Sequence, residues 1–181
     1  NNYDFNVFYN GTYVYFFGSS QYMYKASINQ DNSLTSLTAF INNYPTAART
    51  IIKGYTDAVL VTGSGTLYYI NLDTGEKTTL ASASAASGSG YIMTNIENDL
   101  FVCAKYSGNT AYGTVYLYKF DKETISAELI QTTSMSGSIK ADRNAYNSWI
   151  NGNIAYLKDN ANYRVYFFEI VGEYMETLTD K

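Results

Sequence analysis

Apolar and polar positions alternate along this chain in four copies of one six-residue pattern. The copies are Met23-Tyr24-Lys25-Ala26-Ser27-Ile28, Leu67-Tyr68-Tyr69-Ile70-Asn71-Leu72, Val115-Tyr116-Leu117-Tyr118-Lys119-Phe120 and Val165-Tyr166-Phe167-Phe168-Glu169-Ile170. Tyr holds the second column every time, the fifth is polar or charged, and the sixth is a large apolar residue. A period of two places columns two, four and six on one face of a strand. Columns one and three, on the other face, are often apolar as well, as in Leu67 and Tyr69 or Val115 and Leu117. A strand apolar on both faces belongs to a sheet sandwiched between other sheets. Successive copies start 44, 48 and 50 residues apart, a period that points to stacked repeat units.

Each copy sits inside a longer matching unit. Ahead of it runs another apolar segment, at 13–17, 58–61, 100–104 and 154–157. Ahead of that stands a tight-turn signal: Asn10-Gly11, Thr56-Asp57, Asn98-Asp99 or Asn151-Gly152. Such pairs tolerate the positive φ of hairpin turns, so they predict reversals between antiparallel strands. A further short strand precedes each turn, at 5–9, 50–53, 91–96 and around Trp149. After the six-residue copy comes a polar turn, clearest at Asp73-Thr74-Gly75-Glu76 and Asp121-Lys122-Glu123-Thr124, and then a last strand at 34–40, 77–80, 125–130 and 175–178. Each unit is a four-stranded meander, strands A to D, with bounds near 5–40, 49–80, 91–130 and 148–178. No segment keeps the apolar spacing of an amphipathic helix, so almost no helix is expected. One such meander cannot bury both its faces alone, and neighbouring units must stack.

With these units in view the chain resembles the β-propeller superfamily. The stretch Leu67-Tyr68-Tyr69-Ile70-Asn71-Leu72-Asp73-Thr74-Gly75-Glu76 is similar to the third strand and outer turn of bacterial blades of the quinoprotein-like and surface-layer kinds. The resemblance implies an all-β fold, a β-propeller of four four-stranded antiparallel blades, either a complete ring or an arc of a larger one. The chain opens near a strand A without Met and stops just after a strand D, so no strand is seen to clasp a ring shut. Either a processed or excised piece is expected from that opening.

Composition narrows the chemistry. The 181 residues include no His and one Cys, which removes Ser-His-Asp triads, His-ligated metals and intrachain disulfides. Cys103 lies in Leu100-Phe101-Val102-Cys103-Ala104 and reads as a small buried hydrophobe. A net charge of −4 with no basic run argues against a nucleic-acid surface. No apolar stretch is long enough to span a bilayer, and no signal peptide is present. Acidic and amide-rich turns at 29–33, 73–76 and 159–162 lack the spacing of a calcium loop and read as hairpin turns. Asn10-Gly11-Thr12 is formally a glycosylation acceptor, on an expected A–B turn. No catalytic residue, metal ligand or cofactor is predicted, and no carboxylate pair is marked for glycoside hydrolysis.

In propellers the B–C and D–A connections share one rim, and here that rim is the irregular one. It holds 41–48, 81–90, 131–147 and the B–C loop 106–112; the stretch 81–90 is rich in Ala, Ser and Gly and reads as a flexible connection. Function tends to sit on variable loops carried by a rigid scaffold. The candidate binding surface is therefore Tyr106, Tyr112, Arg143, Tyr146 and Trp149, of the residue types enriched at interface hot spots. The plainer alternative is that Tyr146 and Trp149 pack the start of strand A in unit four.

The expected function is a non-enzymatic structural or protein-interaction module whose partners are other protein subunits in an assembly. In its Tyr/Asn/Ser/Thr-rich composition and loose repeats the chain is similar to propeller domains of phage tail nozzle and hub proteins, which implies a virion or an extracellular, cell-surface setting. A carbohydrate-binding surface module that stacks glycans on exposed rings is the first alternative, and a propeller-type hydrolase the second.

Overall fold

The computed structural model describes residues 6–17, 22–42, 50–53, 58–63, 66–82, 89–107, 112–139, 148–159 and 164–178. Among them there is no helix, and sixteen strands form four sheets. The first sheet holds β1 (Asn6–Tyr9), β2 (Tyr13–Phe17), β3 (Tyr22–Ser27) and β4 (Thr38–Asn42). The second holds β5 (Thr50–Lys53), β6 (Ala58–Gly63), β7 (Thr66–Asn71) and β8 (Lys77–Ser82). The third holds β9 (Ser89–Met93), β10 (Leu100–Ser107), β11 (Tyr112–Asp121) and β12 (Ser126–Ile139). The fourth holds β13 (Trp149–Asn151), β14 (Ile154–Asp159), β15 (Arg164–Val171) and β16 (Tyr174–Thr177). In every sheet the strands pair antiparallel in chain order, the meander expected of each unit.

The hairpin turns follow from local chemistry. Gly11 has φ +98°, Asn98 and Asp99 have φ +50° and +62°, and Gly152 has φ +59°, so three of the four expected A–B turn signals adopt left-handed backbone. The fourth, Thr56-Asp57, lies outside the described residues. Asn10 Oδ1 accepts the backbone N–H groups of Thr12 and Tyr13 at 3.0 and 2.8 Å. The acidic C–D turns use their side-chain oxygens the same way. Asn71 Oδ1 accepts from Asp73 and Thr74, Asp121 Oδ1 from Glu123 and Thr124, and Asp31 Oδ1 from Ser33. These bonds favour the ionised carboxyl: Asp31 and Asp121 are both held below the usual carboxylate range, chiefly by Ser33 and Thr124 respectively.

Several strands depart from expectation: β9 covers Ser89–Met93 where 91–96 is expected, and β10 runs on to Ser107 past the expected 100–104. In the third unit strand D runs on to Ile139, so 131–139 is strand rather than connection, sustained by pairing with β11. In the first, strand D starts only at Thr38, while Leu34 makes an isolated bridge to Ile28. Strands C and D slip by one residue in the first three sheets, between Met23 and Tyr24, Leu67 and Tyr68, and Leu117 and Tyr118.

The sheets stack face to face, in chain order, through three cores. Tyr15, Met23 and Ile41 of the first sheet meet Ile70 and Leu72 of the second. Leu67 and Tyr69 of the second meet Phe101, Cys103, Tyr118 and Phe120 of the third, with Tyr69 stacked on Phe120 at 5.8 Å between centroids. Val102, Val115 and Leu117 of the third meet Ala155, Phe168 and Ile170 of the fourth. The alternation of the six-residue copy thus acquires a direction. Columns four and six of β7, β11 and β15 face the preceding sheet, whereas columns one and three of β7 and β11 face the following one.

Candidate interaction surface

The third and fourth sheets are joined by two side-chain amides. Asn95, just after β9, is buried; its Nδ2 donates to the Ile150 carbonyl at 3.1 Å, and its Oδ1 accepts the Ile150 N–H at 2.7 Å. Gln131 on β12 repeats the arrangement at the outer strands. Its Nε2 donates to the Met175 carbonyl at 2.8 Å, and its Oε1 accepts the Met175 N–H at 2.6 Å. Each amide presents to a backbone residue the donor and acceptor that a neighbouring strand would offer. On the rim of the A–B and C–D turns, Lys119 pairs with Glu173 across the same joint, and that partner holds the ammonium above its usual range. A cleft of about 480 Å³ opens beside this pair, lined by Glu97, Asp99, Leu100 and Asn153 among others. Among the described residues no three acidic or sulfur side chains gather into a metal-holding cluster.

Beyond this joint lies the outward face of the fourth sheet. The register sets Trp149 beside Tyr156 and Tyr156 beside Phe167, and Leu178 donates its N–H to the Phe167 carbonyl at 3.0 Å. These four residues form one row across the sheet, flanked by Val165 and Val171. Columns one and three of β7 and β11 are buried; in β15 the same columns, Val165 and Phe167, are 39% and 42% exposed. Trp149 and Leu178 are also exposed. Full burial of a side chain of this size is worth about 1.5–3 kcal/mol, and these forgo the fraction that stays in water.

The first sheet has the matching feature at the other end of the stack. Val7 and Tyr9 are each 52% exposed and share a face with Phe16 and Tyr24, pointing away from the second sheet. Ile28, column six of its copy, is exposed where Leu72, Phe120 and Ile170 are buried. Val14 and Ala26 on this face are covered.

Of the residues singled out from the sequence, Trp149 lies on the outward face of the fourth sheet. Tyr106 and Tyr112 lie on β10 and β11, paired with Gly90 and Ile139, rather than within a loop. Their side chains, and all of Arg143 and Tyr146, lie outside the described residues. Tyr156, Phe167 and Val165 were not singled out. Their signal was available in principle, since column three of the fourth copy is Phe and its strand ends the last unit.

No family model and no curated protein matches the sequence. Solved structures do match in fold. A protein assigned as a 6-phosphogluconolactonase from Bacteroides fragilis NCTC 9343 superposes with a TM-score of 0.66 at 14% identity, over 97% of this chain and 52% of that one. An auxiliary nutrient binding protein from Bacteroides thetaiotaomicron VPI-5482 gives 0.57 at 11% identity, over 94% and 46%. Puromycin hydrolase gives 0.58 at 15% identity, over 93% and 27%. The chain thus spans about half the length of the first of these proteins. Two of the three are named as enzymes, and at this identity the likeness speaks for fold and not for activity. Four antiparallel four-stranded sheets stacked in chain order, shared with such proteins, make this an all-β fold of the β-propeller kind.

Proposed function

We propose that this chain is a structural, protein-interaction module and not a catalyst. The observation that carries the reading is the outward row Trp149, Tyr156, Phe167 and Leu178, in which Trp149, Phe167 and Leu178 are large apolar side chains left exposed. Trp and Tyr are the residue types that anchor protein interfaces. Its setting in a virion tail or on a cell surface is proposed on composition alone.

Cross-linking in the source cell or particle, followed by mass spectrometry, tests this. Cross-links from the fourth sheet to a second polypeptide chain are expected, and Phe167→Asp should remove them. A wild-type protein that yields none would refute the reading. Turnover of 6-phosphogluconolactone or puromycin by the purified chain would refute its non-catalytic half.

The same rings favour a second reading, a glycan platform. Tyr156 and Phe167 lie 6.3 Å apart and Trp149 follows in the row, giving aromatic faces of the sort on which sugars stack. A glycan array separates the two: binding lost in Trp149→Ala would favour the sugar, and an empty array would discard it.

A further inference from the structure

We propose that the Asn151-Gly152 turn is a self-modification site: the Gly152 backbone nitrogen attacks the Asn151 side-chain amide and expels ammonia, leaving a succinimide that water opens to aspartate or isoaspartate. The reaction needs neither an enzyme nor a partner, so it stands apart from the interaction reading.

Two Asn-Gly pairs occur in the chain, Asn10-Gly11 and Asn151-Gly152. Both sit on A–B turns, and in both the glycine has positive φ, +98° and +59°. A Cβ built at either glycine would meet nothing within 4 Å, so each nitrogen is open to the approach of a side chain. The dipeptide and its place in the unit are alike; the asparagine side chains are not. Asn10 is engaged. Its Oδ1 accepts from the N–H groups of Thr12 and Tyr13 at 3.0 and 2.8 Å, and its Nδ2 donates to the Tyr15 hydroxyl at 3.4 Å. Ring closure there must break the first two bonds, because Cγ has to turn toward the Gly11 nitrogen. Asn151 closes β13 and is exposed, and its side chain makes no hydrogen bond among the described residues. The Gly152 N–H likewise donates to no group among them. Giving up two ordinary hydrogen bonds slows a reaction by at least about five-fold, so Asn151 should convert that much faster than Asn10.

The Gly152 nitrogen gives up its proton to solvent and forms a bond to Asn151 Cγ. The bond from Cγ to Nδ2 breaks, and Nδ2 leaves as ammonia after taking a proton from water. Water then adds to one of the two imide carbonyls, and no oxidation or reduction occurs. Attack at Cγ restores the ordinary backbone, as aspartate. Attack at the main-chain carbonyl leaves the backbone running through the side chain, as isoaspartate. Either product turns a neutral amide into a carboxylate, so the formal net charge of −4 falls by one, to −5. The new charge arises beside the cleft that Gly152 and Asn153 line together with Glu97, Asp99 and Glu173. Isoaspartate also lengthens β13 by one backbone carbon next to Ile150, the residue that Asn95 clamps.

Peptide mapping by mass spectrometry after prolonged warm incubation of the whole folded chain is the test, with the Asn10 peptide as internal reference. Conversion at Asn151 at least about five-fold faster than at Asn10 is expected. Isoaspartate should be among the products, and hydroxylamine should cleave the succinimide between Asn151 and Gly152. In denaturant the two rates should converge, because the bonds that protect Asn10 are gone. Gly152→Ala should slow the conversion, with circular dichroism to check that the variant folds; if it does not, the wild-type comparison decides alone. Asn10 converting as fast as Asn151 in the folded chain, a gap that persists in denaturant, or aspartate without isoaspartate or succinimide would overturn the proposal.

Discussion

Asn95 holds Ile150 as a neighbouring strand would: one side-chain amide donates to the Ile150 carbonyl and accepts from the Ile150 N–H, in a buried setting. The pairing crosses from the third sheet to the fourth, so it reports on the joint rather than on either sheet. Leaving a buried donor or acceptor unmatched costs about 1–3 kcal/mol each. Asn95→Ala should therefore destabilise the chain by roughly 2–6 kcal/mol on that same accounting. Urea unfolding followed by circular dichroism measures it. A loss below about 0.5 kcal/mol would mean that the net worth of an ordinary hydrogen bond had not been reached, and that Asn95 does not hold the joint.

Gly75 fits a tighter condition. Its φ is +75°, and a Cβ there would stand 3.3 Å from Ile41 Cγ1, across the joint between the first and second sheets. A non-glycine residue in left-handed backbone costs roughly 1–2 kcal/mol before any contact is counted. Gly75→Ala should lose at least that much, and Ile41→Ala should lessen the contact part but not the backbone part. Gly11, with nothing within 4 Å of the same construction, is the control: Gly11→Ala should show the backbone cost alone.

Tyr118 should titrate late. Burial, helped by nearby Cys103 and Tyr116, pushes its phenol up to about 12, and burial also raises Tyr15. A tyrosine harder to ionise when folded stabilises the fold fully below its ordinary value near 10. That contribution is lost as pH rises from there toward the folded value. Absorbance at 295 nm should thus show a native titration with a late component, absent in denaturant and reduced by Tyr118→Phe. A native curve that overlays the denatured one would contradict the burial of this ring.

Tyr166 tests the second column from the opposite side. Its hydroxyl, buried at the joint with the third sheet, has no hydrogen-bond partner among the described residues. An unmatched buried hydroxyl is a cost, so Tyr166→Phe should leave stability unchanged or raise it, by up to about 1–3 kcal/mol. A clear loss in thermal unfolding would show that the hydroxyl is matched.

Much of this architecture was legible because alternation and turn chemistry are local. Asn10-Gly11 and Asn98-Asp99 need positive φ wherever they fold, and Val115 to Phe120 is apolar on both faces whatever lies beside it. The extension of β12 through Gln131 and Thr132 was hidden, because a polar stretch becomes strand only when β11 is there to pair with it. The clamps were hidden too, since one Asn or Gln in a polar run looks like loop until its backbone partner, 55 or 44 residues away, is known. The candidate surface was the hardest to read. Val165 and Phe167 match Val115 and Leu117 in character, yet one pair is covered and the other is not. Pattern tells what a side chain wants covered, and only coordinates tell whether anything covers it.

The direction built into strand C makes these sheets interchangeable parts. Because every joint presses the even columns of one unit onto its predecessor, a whole unit duplicated or removed would meet its new neighbours through surfaces of the same kind. An insertion of half a unit would set two like sides together and fail. Length in such a chain can change only in steps of about one period, and that is how a short member and a long one could share a cross-section without sharing a sequence.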